Sequence, residues 1–173
     1  MSSKLSTQSA NNKKLVIREI AVLAIATTLL LVIQVGLALL PNIELVSLLI
    51  IIYSLIFRKK TLYIIYVFAV LEGLIYGFGI WWVTYLYVWT ILFIIVRIFH
   101  KNEQPLFWAI IGGFYGLAFG ALCAIPTIIA GGIGAGVAWW VSGIPYDILH
   151  GVGNFVTILI LFKPLYAVIK KIA

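Results

Sequence analysis

The sequence predicts an all-α integral membrane bundle of six transmembrane helices with both ends in the cytoplasm. Two observations carry the prediction. First, 64% of the 173 residues are hydrophobic, only 10% are charged and the mean hydropathy is +1.19, whereas a soluble domain is about a quarter charged. Several apolar runs suffice to cross a hydrocarbon core of roughly 30 Å. They lack the period-two alternation of a membrane barrel, so helices must satisfy the backbone. Second, the basic residues are confined to four places. Lys4, Lys13, Lys14 and Arg18 precede the first run; Arg58, Lys59 and Lys60 follow the second; Arg97 and Lys101 follow the fourth; Lys163, Lys170 and Lys171 close the sixth. Six crossings put all twelve on one side, which the positive-inside rule makes cytoplasmic. The net charge of +7 is thereby a topology marker, and a nucleic-acid face is excluded.

The polar stretch 1–13 is expected to be a disordered cytoplasmic leader, with residues 14–173 forming a single domain. No cleaved signal is expected, because the run that follows lacks a short apolar core with a small-residue cleavage site. The first helix starts at Lys14 or Leu15 and stops at Pro41-Asn42. The second, Glu44 to Phe57, is short: its length reaches only about 21 Å at the helical rise, so it begins within the outer leaflet or leans on neighbours. The third runs from Leu62 to Tyr76 and ends in Gly77-Phe78-Gly79; the fourth runs from Trp81 to Phe99. A cytoplasmic loop with Pro105 leads to the fifth, Leu106 to Ile129. The stretch 130–136, rich in glycine, reads as a flexible external connection, and Pro145 as the first-turn proline of the sixth helix. The lone Cys123 reads as a small core residue.

The acidic residues sort with this topology. Glu19 and Glu103 lie among cytoplasmic cations, while Glu44, Glu72 and Asp147 lie outward, where there is no lysine or arginine. Ionisable groups at membrane depth are costly and are candidates for function. Glu72, the deepest, is expected to contact a ligand; the structural alternative is a protonated side chain bonded to a neighbouring helix. Asp147, His150 and Asn154, at i, i+3 and i+7, share one helical face, beside Tyr146 and with Gly151 and Gly153 leaving room. That stripe suits a pocket of directional donors and acceptors, or a helix cap with interhelical hydrogen bonds. Tyr76, Trp82, Tyr85 and Trp89 cluster on the same side with Trp81, Trp139 and Trp140. An interfacial belt accounts for some of these rings; Trp82, Tyr85 and Trp89 follow i, i+3, i+7 and could stack on a ligand ring. Gly112, Gly116, Gly120 and Ala124 form a smooth ridge for close helix packing, against a partner within the chain or outside it. No zinc, nucleophile-elbow, paired-cysteine or phosphate-loop motif is present, so no enzyme activity, metal or cofactor is expected, and uphill transport would need an ion gradient or partner ATPases.

The short second helix after a Pro-Asn loop, the outer Glu72 and the stretch from Gly143 through Pro145, Tyr146, Asp147 and His150 to Asn154 resemble the substrate-binding S components of energy-coupling-factor (ECF) vitamin transporters. The resemblance covers nearly the whole chain after Leu15. It implies a multi-pass protein of a bacterial-type plasma membrane that captures a vitamin or precursor from outside. A transmembrane coupling subunit and two cytoplasmic ATPases would then drive uptake. It also implies a lid in the first connection, with Pro41, Asn42 and Glu44, and a docking surface of small residues on the first helix. Here the family's Ala-xxx-Ala pattern is replaced by Ala21, Ala24 and Thr28.

Electrostatics narrows the substrate. A buried anion would demand a cation, and the outer half offers only His150, so folate-, biotin- and pantothenate-like compounds are disfavoured. A neutral or cationic heterocycle is favoured, such as a thiamine-related pyrimidine, a pyridoxine-like compound, a flavin or a corrinoid. Two other readings are an autonomous secondary transporter or channel using Glu72 and Asp147 as proton or cation sites, and an intramembrane enzyme using Glu72 with His150.

Overall fold

The computed structural model describes residues 2–39 and 43–173, with side chains from Leu15 onward. Pro41 and Asn42 of the expected lid lie outside the described residues. Six α-helices follow one another: α1 (Ser2–Gly36), α2 (Val46–Ile56), α3 (Thr61–Tyr76), α4 (Ile80–Ile98), α5 (Pro105–Cys123) and α6 (Ile125–Ile172), with a single 3-10 turn at Arg58–Lys60 between α2 and α3. Four are long and apolar enough to cross a membrane: Leu15–Gly36 within α1, α4, α5 and α6. The architecture is all-α, as composition required.

The short α2 is the centre of the bundle. It packs against all five other helices, and every residue from Val46 to Ser54 is buried. A helix that is apolar on all sides belongs in a core, and one wrapped by neighbours has no need to match the bilayer thickness. Its 11 residues span only about 16 Å. The remaining helices form an open ring around it, α1 against α3, α3 against α4, α4 against α5 and α5 against α6. The seam between α6 and α1 is the loosest.

Polar side chains inside the bundle tie helices together through backbone carbonyls. The Tyr53 hydroxyl donates to Ala26 of α1 at 3.2 Å, Tyr115 to Val88 of α4 at 2.8 Å and Tyr87 to Leu122 of α5 at 2.7 Å. Trp108, fully buried, donates its indole N–H to Asn102 at 2.9 Å. Each bond lets a large amphipathic ring enter the core without an unsatisfied donor.

Several boundaries differ from expectation. The backbone of α1 is helical from Ser2; once the apolar part has nucleated, adding residues to a helix costs little. The glycine-rich stretch 130–136 is not a flexible connection. Helical geometry is interrupted only at Gly132 (φ 85°, ψ 169°), a left-handed conformation that glycine tolerates. The chain reverses there into a helical hairpin. Gly136 packs directly under Ile128, which explains the glycine as a close-approach residue. Pro145 accordingly lies inside α6, with Pro164, not in its first turn. The segment 133–172 extends about 60 Å at the helical rise. Even tilted by about 40° it exceeds a core of roughly 30 Å, so part of it stands outside.

The glycine ridge has an internal partner. Gly112 faces Asn154 and Ile158, Gly116 faces His150 and Gly151, and Gly120 faces Asp147. A Cβ on Gly116 would come within 2.8 Å of the Gly151 backbone, closer than packed atoms allow. The ridge therefore sets the contact between α5 and α6, and Ala124, buried, marks the joint between the two helices.

Candidate functional site

The close approach of α5 positions the polar stripe of α6. Asp147, His150 and Asn154 are all buried, each held by one bond. The backbone N–H of Gly120 donates to Oδ1 of Asp147 at 2.9 Å; a side chain at Gly120 would occupy the place of that carboxylate. His150 Nε2 lies 3.1 Å from Oε1 of Glu44. Asn154 donates through Nδ2 to the Ser47 hydroxyl of α2 at 3.3 Å.

Glu44 sits in the connection between α1 and α2 and closes over the stripe. Its Oε2 accepts the backbone N–H of Ser47 at 2.8 Å, capping the first turn of α2, while Oε1 faces His150. Burial pushes the carboxyl upward. The hydrogen bond and charge of His150, with the bonds from Ser47, outweigh that and hold it below its ordinary value of 4.5. Glu44 is thus both part of the first connection and a member of the polar cluster.

An aromatic chain leads from His150 across the bundle. The Phe119 ring meets His150 edge-on at 4.8 Å and Trp89 at 5.6 Å. Trp89 in turn meets Tyr85 edge-on at 5.6 Å, and Tyr85 stacks on Phe68 of α3 at 6.0 Å. Glu72 lies one turn beyond Phe68 and is 2% exposed. Gln34 of α1 donates to the Tyr85 hydroxyl at 3.3 Å.

Not every expected residue joins this cluster. Trp82 turns to α3 instead, donating its N–H to Ala69 at 2.8 Å and packing on Phe78 above Gly73, so its polar atom is already used. Tyr76 and Tyr146 are exposed on the bundle surface, without a ring contact or hydrogen bond to the cluster among the described residues. Ser47, Phe119, Phe68 and Gln34 belong to it and were missed. Ser47 and Gln34 had a signal, since each is a polar residue interrupting an apolar run; the phenylalanines had none.

Five buried side-chain polar atoms have no hydrogen-bond partner among the described residues: Oε1 of Glu72, Nε1 of Trp89, Oδ2 of Asp147, Nδ1 of His150 and Oδ1 of Asn154. Buried polar groups are almost always paired, because desolvation without a partner costs about 1–3 kcal/mol each. All five belong to residues of this cluster and its neighbouring turn on α3. Three are obligate or preferred acceptors, one is a donor, and the histidine nitrogen can be either. No group of three histidine, cysteine or carboxylate side chains among the described residues is arranged to hold a metal.

Fold and site together define a class: an all-α membrane protein with a buried, acceptor-rich polar and aromatic cluster at one end of its bundle. No protein-family model matches the chain, and neither characterised proteins nor solved structures yield a match.

Proposed function

We propose that the protein is the substrate-binding S component of an ECF-type importer, taking up a vitamin-like heterocycle from outside. Its partners would be a coupling subunit and two ATPases. The five unpartnered polar atoms of this cluster and of the neighbouring turn on α3 carry this reading. A ligand that bonds to them would recover the desolvation cost, and the aromatic chain would stack on its ring. Glu72, Asp147 and Asn154 offer oxygens, Trp89 offers one N–H, and among the described residues no lysine or arginine pairs with any of them. The complementary ligand is therefore rich in N–H or O–H donors and neutral or cationic. Ala21, Ala24 and Thr28 all lie on the exposed face of α1, where a coupling subunit could dock on small side chains. The cations on α1, the α2–α3 turn and α4 meet at the opposite end of the bundle, in keeping with an outward-facing site and cytoplasmic termini.

Native mass spectrometry of the purified protein tests the proposal. A co-purified or added small heterocycle, retained by the wild type and lost in Glu72→Ala, Asp147→Ala and Asn154→Ala, is the expected result. Unchanged affinity in all three variants would place the ligand elsewhere.

The two buried carboxylates with free oxygens also suit proton or cation coupling in an autonomous transporter. Uptake by the isolated chain in vesicles under an imposed ion gradient supports that reading; dependence on added ATPase subunits supports the first.

A further inference from the structure

At the other end of the bundle, a crevice of about 750 Å³ opens beside α1 and the α2–α3 turn. Its lining comes from the start of the apolar part of α1, the α2–α3 turn, Arg97 at the end of α4 and Ala173 beyond α6. Five cationic side chains converge there: Arg18, Arg58, Lys59, Lys60 and Arg97. Among the described residues that line the crevice there is one carboxylate side chain, Glu19, which pairs with Lys60. Arg97 reaches the Ser54 carbonyl at 3.4 Å, and Arg18, Arg58 and Lys59 have no acidic partner among the described residues. The remaining wall is apolar, with Val22, Leu23, Ile56 and Phe57. Arg58 is also the one non-glycine residue with positive φ among the described residues (55°), a conformation that disfavours side chains and holds the α2–α3 turn at the mouth of the crevice.

We infer that this crevice binds the phosphate-bearing head group of an anionic phospholipid. Like charges gathered around a common space repel unless an anion occupies it, and guanidinium and ammonium groups recognise phosphate oxygens by charge-assisted hydrogen bonds. Basic pockets between membrane helices at the cytoplasmic face suit such head groups. A lipid is favoured over a free phosphate anion by the apolar walls that Leu15, Val22, Leu23, Ile56 and Phe57 place beside the cations. Acyl chains would leave the crevice along those apolar side chains. The inference requires the bundle to be in a membrane but no particular substrate at the other end.

The test is native mass spectrometry of the protein released from nanodiscs of equal phosphatidylglycerol and phosphatidylcholine. The wild type retains phosphatidylglycerol in several-fold preference. Arg18→Gln combined with Lys59→Gln brings the two lipids to near parity, whereas Lys101→Gln combined with Lys163→Gln, which removes the same charge outside the crevice, keeps the preference. Both variants change exposed side chains, and an unaltered melting temperature in detergent checks that each is folded. Wild-type parity, or equal loss in both variants, overturns the site. Displacement of the lipid by inorganic phosphate at low millimolar concentration overturns the lipid as its occupant.

Discussion

At the scale of single residues, the chemistry rests on a few atoms whose environments are unusual. Glu72 and Asn154 are buried with an oxygen unused, and their substitution separates ligand contact from structure. Asn154→Ala removes the bond to Ser47 as well as the free oxygen, so we expect ligand affinity to fall about tenfold or more, with loss of about 1 kcal/mol of stability. Glu72→Gln keeps the shape and leaves an amide oxygen. If the ligand is cationic, titration calorimetry should find binding weakened by a similar factor while the melting temperature holds or rises. Unchanged affinity would mean that the Glu72 charge plays no part. Glu44 supplies a pH dependence with a definite sign. Its carboxyl is held below the ordinary 4.5 by His150 and Ser47. The stabilisation is therefore complete above the ordinary carboxylate range and is lost as pH falls through the lowered value. Hydrogen-exchange protection in the 43–47 segment, relative to the intrinsic rate at each pH, should fall as pH drops through that lowered value. Glu44→Gln should flatten that profile, at a cost of about 1.5–3 kcal/mol for a charge-assisted bond.

At the scale of elements, the α5–α6 hairpin supports the site. The glycine ridge brings the two backbones together, and the Asp147 and His150 face is what it meets. Two features legible in the sequence as separate, a small-residue ridge and a polar stripe, are opposite sides of one contact. Ordering the glycines by what a methyl group would strike yields a prediction. Gly116→Ala meets the Gly151 backbone, which cannot yield without moving the helix, and should cost about 1–3 kcal/mol, lowering the melting temperature in detergent. Gly112→Ala meets the end of the Ile158 side chain, which can change rotamer, so its cost should be distinctly smaller. Equal effects would show that the hairpin is not packed this way. The α2 helix carries a similar lesson. Its brevity in the sequence left two explanations, and its burial on all sides selects one.

At the scale of the whole molecule, the two ends of the bundle differ in kind. One gathers buried carboxylates, His150 and aromatic rings; the other gathers arginines and lysines around an apolar crevice. If both termini are cytoplasmic, a reporter active only in the cytoplasm should give signal when fused after Ala173. A cysteine placed at residue 133 in a Cys123→Ala background should react with an impermeant thiol reagent from outside. The opposite pattern would invert the proposed site. Under the importer reading, transport should also require the coupling subunit and ATPases, because no nucleotide-binding motif occurs in the chain.

The sequence by itself determined the helical class, the segregation of charge and most of the polar residues that the site uses. These follow from properties local to a residue or a short run: transfer free energy, charge, helical spacing. Trp89, Asp147, His150 and Asn154 could be found because polar or aromatic side chains stand out within apolar helices. Only the tertiary structure decided which face of each helix looks inward. It turned Trp82 toward a backbone carbonyl and left Tyr76 and Tyr146 outside, and it brought Ser47, Gln34 and Phe119 to the cluster from α2, α1 and α5. It also confined the chain reversal to Gly132. Helix–helix registry depends on the simultaneous fit of side chains far apart in the chain, and the small and apolar residues that set it look alike wherever they occur. The six-helix expectation thus stood on hydrophobicity, whereas the site beneath Glu44 depended on how α2, α5 and α6 pack.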